Sequence, residues 1–375
     1  MGELAIVLQF LQRGLVTWFD QQAYNIQAVP KLSVSTFLTF AVIWTQLASG
    51  FQTQAIAYSN GASLIMLQIL RTFAQRPYFP IYGGIFASFS GSSLCDPLDY
   101  LDEPLRSVEG TQEKARILTL LGYSQRALGG YPRSINFLQQ ALEIARSAKD
   151  SVCEIASLNH LSRTYVQEKN YPEAINYSQR ALILSRQAGD KTGETNALVN
   201  LGYSEVMQAQ QLENIGPEVY ESAINYLEQG FKLAEKLGDL QTQALYFSSL
   251  GIAYLVTAQH ENAIKYLEIG FKTAQISGDL YLQGQNLSYL AEAYYQLQNY
   301  EKAIYTGGLG MSLLEQISSQ EWRRPARLLT IIKGQLGTDK FQVSLRHNHP
   351  KIISVIGVDG YDYIPQLLNT YQNHW

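Results

Sequence analysis

The sequence predicts an all-α protein, an array of stacked helical hairpins, from three observations. First, NYPEAINYSQRALILSRQAGD at 170–190 returns as QHENAIKYLEIGFKTAQISGD at 259–279 and as NYEKAIYTGGLGMSLLEQIS at 299–318. The apolar letters hold while the polar ones change, and both apolar segments of each unit carry helical spacing. Second, units aligned on this core end at Asp150, Asp190, Asp239 and Asp279, spaced 40, 49 and 40 residues apart. Third, a small residue recurs wherever two helices of a hairpin would cross.

Composition bounds what such an array can do. The 375 residues are 46% hydrophobic and 16% charged, as in a folded protein. A net charge of −4 and a pI near 5.8 supply no basic field for a phosphate backbone, so nucleic acid is excluded as a partner. Two cysteines, Cys95 and Cys153, are too few for a disulfide framework and are expected to be reduced and structural.

The N-terminal stretch MGELAIVLQFLQRGLVTWF reads as an amphipathic helix with Leu4, Leu8, Leu11, Leu15 and Phe19 on one face. Without a basic start, with Glu3 at its front, and with no small-residue cleavage site, it does not read as a signal peptide. Ile6 stands where a myristoylation signal needs Ser or Thr. Residues 32–70 contain no charged side chain. Their apolar run is interrupted by Thr, Gln and Ser, and SNG at 59–61 breaks the next, so buried helices are favoured over a membrane span. AIAYSNGASLIM at 55–66 echoes AINYSQRALILS at 174–185, which suggests a degenerate repeat at 36–70. Residues 1–95 are expected to be mostly buried helices continuous with the array.

Within the repeats, first helices form around LTLLGYSQ, LNHLSRTY, LVNLGYSE, FSSLGIAY and LSYLAEAY, and second helices begin at SINF, AINY, AINY, AIKY and AIYT. Gly122, Ser162, Gly202, Gly251 and Ala291 let the paired helix approach. Ala174, Ala223, Ala263 and Ala303 occupy the matching crossing point. Gly189, Gly238 and Gly278 suit the left-handed end of a helix, and the Asp after each suits the next N-cap. QQLENIGPEV at 210–219 widens one loop.

These units resemble tetratricopeptide repeats (TPRs), in the 40-residue variant of kinesin light chain and related bacterial arrays. The resemblance covers 111–319 as five units: 111–150, 151–190, 191–239, 240–279 and 280–319. Residues 1–110 and 320–375 flank it without a family motif, and the family's first-repeat Trp is missing. The resemblance implies a right-handed superhelix whose first helices line a concave groove for a peptide or partner helix, with no catalysis. It places Asn159, His160, Arg163, Asn200, Tyr203, Tyr289 and Glu292 in that groove. Tyr123, Arg163 and Tyr203 replace the asparagines of the chaperone-tail clamp, which disfavours that partner.

No enzyme motif competes. His347 and His349 supply two ligands where zinc usually wants at least three, DGYD at 359–362 lacks the remaining oxygens of a calcium loop, and no Gly-rich phosphate loop is present. Neither metal nor cofactor is expected. QEWRRPARLLTIIKGQLG reads as a capping helix with Trp322, Leu329, Ile332 and Leu336 inward. Arg323, Arg324, Arg327 and Lys333 face outward as a secondary basic face. NHPKIISVIG is read as a helix started by Asn348 and Pro350 and stopped by Gly357, in preference to a strand paired with FQVSLRH. The function expected is a cytoplasmic, non-enzymatic adaptor or assembly factor that binds a client protein or peptide. A peptide-sensing regulator and a membrane-associated factor anchored by the N-terminal region are the alternatives.

Overall fold

Asp150, Asp190, Asp239 and Asp279 each turn a side-chain oxygen onto a backbone N–H of the following helix: Cys153, Gly193, Thr242 and Leu282, at 2.9–3.2 Å. They satisfy donors that a helix start leaves orphaned. In this computed structural model, which describes residues 2–21, 28–51, 56–77, 79–83, 105, 109–212 and 218–373, sixteen α-helices and no strand occur among the described residues.

Three helices open the chain: α1 (Gly2–Gln21), α2 (Ala28–Phe51) and α3 (Ile56–Ala74). Five hairpins follow: α4 (Gln112–Ala127) with α5 (Tyr131–Ser147), α6 (Ser151–Gln167) with α7 (Tyr171–Ala188), α8 (Lys191–Gln211) with α9 (Glu218–Leu237), α10 (Leu240–Val256) with α11 (His260–Ser277), and α12 (Leu280–Gln296) with α13 (Tyr300–Gln316). The end is covered by α14 (Arg323–Leu336), α15 (Thr338–His347) and α16 (His349–Asn373). Of the loop predicted at 210–219, residues 213–217 lie outside the described residues.

Close approach explains the small residues. A Cβ on Gly202 would stand 2.5 Å from the Ala223 carbonyl oxygen, and Cβ atoms on Gly122 and Gly251 would meet Leu138 and Leu267 at 2.5 and 2.6 Å. Ala174, Ala223, Ala263 and Ala303 are completely buried. Gly189, Gly238 and Gly278 take φ of 70°, 63° and 74° between hairpins. Within the hairpins the left-handed turn position falls to Lys169, Ala258 and Gln298, where nothing in the sequence marks it.

The inner helices α4, α6, α8, α10, α12 and α14 lie side by side. Every residue from Leu282 to Ala291 is buried, because the axis of the superhelix is closed. Tyr123 of α4 bonds to Asp279 at the start of α12, Arg163 of α6 reaches Ser249 of α10, and Tyr131 and Tyr281 share Glu321 before the cap. The first hairpin therefore meets the fifth.

The N-terminal helices correct one expectation. Helix α1 rests on α2 through Leu8, Gln12, Leu15 and Val16, while Leu11 is 51% and Phe10 70% exposed. With α2 as its main neighbour, α1 buries a seam narrower than its apolar surface. Ile6, Val7 and Trp18 remain open as well, so this helix is not mostly buried. The side chains of Leu4 and Phe19 lie outside the described set, as do residues 84–95. Helices α2 and α3 pair and stack Phe37 on Phe73, and α3 runs unbroken through Ser59, Asn60 and Gly61 before packing on α4. Among the described residues no helix is long and apolar enough to cross a membrane.

In the cap, Leu329 and Ile332 are buried and Trp322 and Leu336 half-buried; Arg323 and Arg327 are exposed and Lys333 half-buried. FQVSLRH lies in α15, and α16 breaks its helical geometry at Gly357 (φ 75°, ψ 175°). His347 sits 3.5 Å from Glu301, and the His349 ring meets Tyr361 edge-on.

Candidate functional site

The inner wall is built from side chains of successive first helices. Asn159 and Asn200, one unit apart, meet directly: Asn200 Nδ2 donates to Asn159 Oδ1 at 3.0 Å and to its carbonyl oxygen at 3.1 Å, and Asn159 Nδ2 donates to the Gly193 carbonyl. Arg163 lays its guanidinium 4.9 Å above the Tyr203 ring and donates through Nη1 to Ser249 at 3.3 Å. Arg126 does the same over Tyr123, at 4.9 Å, and Tyr281, at 5.7 Å. Asn159, His160, Arg163, Asn200, Tyr203 and Tyr289 are all buried, so they form the inner lining and not a solvated helix face.

Burial sets the electrostatics. His160 is pushed down to about 4, chiefly by burial and further by Arg126 and Arg163. Its neutral ring can therefore donate only one N–H, which Nε2 gives to the Ile81 carbonyl at 2.9 Å. The Asp279 carboxyl is raised by burial, against the hydrogen bonds from Leu282 and Tyr123. The Cys153 thiol, buried beside Thr119, is pushed up to about 12 by burial and is unreactive; Cys95 lies outside the described residues.

The segment Phe79–Gly83, which follows α3, crosses one side of this lining. Ile81 receives His160, the Tyr82 hydroxyl donates to Asp190, and Gly83 lies against Gln241. Beneath it, Tyr82, Arg126, Arg163, Asn200 and Asp279 border a cavity of about 20 Å³. That volume is enough for a water molecule. Several groups of the wall lack hydrogen-bond partners among the described residues: Arg126 Nε and Nη1, Arg163 Nε, Asn200 Oδ1, Asn286 Oδ1 and Ser288 Oγ.

Tyr289 and Glu292 meet the cap, and a hydrogen bond between Tyr289 and Tyr203 joins them to the wall. Arg324 grips Glu292 with Nε and Nη2 at 2.6 and 2.9 Å, donates from Nη1 to the Tyr289 hydroxyl at 2.6 Å, and stacks 3.9 Å over that ring. This corrects the expectation of an outward basic face at Arg324. Its side chain is 45% exposed, yet every nitrogen is engaged, so the outward cations of the helix are Arg323, Arg327 and Lys333. Among the described residues no group of three metal-ligating side chains exists.

Arg126 was not among the residues singled out from the sequence, although a signal existed. It occupies the position taken by Val166, Val206 and Leu255 in later units, and an arginine replacing a repeated apolar letter marks a charge placed in the interior. Tyr82 carried no comparable signal, because it lies outside the repeats.

The family match and the first solved structure below agree with this architecture. The tetratricopeptide repeat family matches residues 113–187, the span of the first two hairpins. No curated protein matches the chain in sequence. Among solved structures, a Rap protein complexed with competence and sporulation factor is similar over 92% of this chain and 98% of that one, at 12% identity and a TM-score of 0.52. Aspartyl phosphate phosphatase F from Bacillus subtilis follows at 13% identity and 0.47, over 91% and 93% of the two chains. A signal-transduction ATPase with a tetratricopeptide repeat sensor from Pyrococcus horikoshii follows at 15% and 0.43, over 94% and 54%. The chain thus carries tetratricopeptide repeats over its first two hairpins, and three further hairpins of the same build continue the array.

Proposed function

We propose that this protein is a non-enzymatic interaction module that receives a short segment of a client protein along its inner wall, and that the array opens at the Tyr123–Asp279 seam to admit it. The chemistry of the wall supports this above all. An array needing only stability gains nothing from polar groups on its axis, because well-packed apolar residues there are often as stable or better. Here Arg126, Arg163, Asn200, Asn286 and Ser288 have buried hydrogen-bonding atoms with no protein partner among the described residues. Each such atom costs about 1–3 kcal/mol, and the backbone and side chains of an inserted segment would supply the missing partners. Asn159, His160, Arg163, Asn200 and Tyr203 are the proposed contacts of the wall, with Tyr289 and Glu292 at its end by the cap.

A regulatory version of this function is favoured by the segment Phe79–Gly83. It lies over the wall through Ile81 and Tyr82 and follows directly on α3. An entering segment has to displace it, which would couple occupancy of the wall to the N-terminal helices.

The test is client capture from the native cell, quantified by mass spectrometry. Arg163→Met combined with Asn200→Ala, shown to be folded by circular dichroism, is expected to lower client recovery at least about tenfold, the loss of one anchoring contact. Gln179→Ala with Glu228→Ala, on exposed outer helices, is expected to leave it unchanged. The reverse pattern would move the binding surface to the outside of the array.

A further inference from the structure

The inner wall buries two cations and provides one anion nearby. Arg126 is 4% and Arg163 3% exposed, and both border the same small cavity as Asp279. Asp279 is committed elsewhere: its carboxylate accepts the Leu282 N–H at 3.0 Å and the Tyr123 hydroxyl at 3.0 Å. The two guanidinium groups instead rest on tyrosine faces, and three of their nitrogens find no hydrogen-bond partner among the described residues. A buried charge left in this condition is costly. Arg163 is accordingly held below the ordinary guanidinium range, first by burial and then by the neighbouring Arg126.

We propose that Arg126 and Arg163 form an anion site that takes a single carboxylate of the inserted segment, either an Asp or Glu side chain or a C-terminal carboxylate. This rests on the proposal that the wall receives a segment at all. Charge selects the ligand class. Two guanidinium groups and one carboxylate border the cavity, with Asp190 and Glu321 one tyrosine further out, a balance that suits a monoanionic carboxylate better than a phosphate dianion. Geometry adds a second element: Asn200 Oδ1, also without a partner and on the same cavity, is placed to accept a backbone N–H. The tyrosine rings fix the guanidinium planes, so the donors are held in place before the ligand arrives. The cavity is narrow, about 20 Å³, so the carboxylate enters as the seam opens.

Two probes on the full chain test this. Sodium acetate is added at constant ionic strength, with sodium chloride as the balance, and thermal unfolding is followed. Separately, random seven-residue peptides displayed with free C-termini are selected on the protein, and the enriched peptides are resynthesised with each carboxylate replaced by its amide. Acetate is expected to raise the melting temperature of the wild type by about 2 °C or more and not that of Arg126→Met or Arg163→Met. Amide replacement at one position is expected to weaken wild-type binding at least tenfold and variant binding less than twofold. Reading the acetate-dependent increment and not the absolute melting temperature separates the site from a structural role, and Arg163→Lys, which keeps the charge, is expected to retain part of the increment. Enriched peptides that bind equally well as amides would overturn the anion site and leave the segment-binding function standing. An Arg-dependent acetate effect with no peptide enriched would support a site for free carboxylates and sink the segment-binding function. No acetate increment together with no amide effect would overturn the site outright.

Discussion

The Tyr123 hydroxyl donates a hydrogen bond of 3.0 Å to Asp279 across 156 residues of sequence, joining the first hairpin to the start of the fifth. Both groups are buried and border the small cavity of the inner wall. A stacked array normally has contacts only between neighbours. This bond adds one between distant units.

Tyr123→Phe removes the donor and leaves a buried carboxylate with fewer partners. The expected cost is about 1–3 kcal/mol, read as a lower urea midpoint. An unchanged midpoint would mean that the seam carries no stability.

Gly202→Ala should overpack the third hairpin, because the new methyl group would stand 2.5 Å from the backbone oxygen of Ala223. A loss of about 1–3 kcal/mol is expected. Gly334→Ala, in the cap helix with nothing within 4 Å of the added carbon, should instead stabilise by about 0.4–1 kcal/mol. Thermal melts of the two variants side by side check both signs.

The contrast between these glycines shows which parts of the fold were legible. Gly202 and Ala223 recur in phase because a crossing of two helices is a local constraint, repeated in each unit. The same holds for the capping aspartates and for Gly189, Gly238 and Gly278. The all-α repeat architecture could therefore be read directly. Closure of the axis could not, because it depends on the sum of small rotations between units, which no single repeat encodes. For that reason Asn159, His160, Arg163, Asn200 and Tyr203 were readable as the inner lining but not as buried. The grip of Arg324 on Glu292 joins the cap to the array, and a helical pattern alone made that arginine one more outward cation. Leu11 failed because an apolar stripe on α1 has too little partner surface to cover it.

His160 gives the fold a defined acid sensitivity. The unfolded chain binds its imidazole proton near 6.5, whereas burial and the two arginines push the folded value down to about 4. Between those limits the unfolded state holds more protons, so stability falls as pH is lowered. The full interval corresponds to about 3 kcal/mol, and well above pH 6.5 the slope from this residue dies away. Urea unfolding from pH 7.5 to 4.5 should show this loss, and His160→Gln should flatten that part of the profile. A profile identical in both proteins would remove His160 as its source.

The central claim is that the closed axis must open for a client segment to enter, and a reversible lock across the seam tests it most directly. A Cβ on Gly129 would lie 2.8 Å from the Gln320 Cβ, so a small outward adjustment reaches disulfide distance. Gly129 has φ 78°, and Lys169 at the matching turn of the next hairpin carries a side chain at φ 59°, so the substitution adds some backbone strain that the variant's melting temperature will show. Gly129→Cys with Gln320→Cys would be made in a Cys95→Ser background, leaving the buried Cys153 untouched. Client recovery is measured before and after dithiothreitol. The oxidised protein is predicted to lose client capture at least tenfold and the reduced protein to regain it; equal capture by the locked and unlocked forms would contradict the account and place binding outside the inner wall.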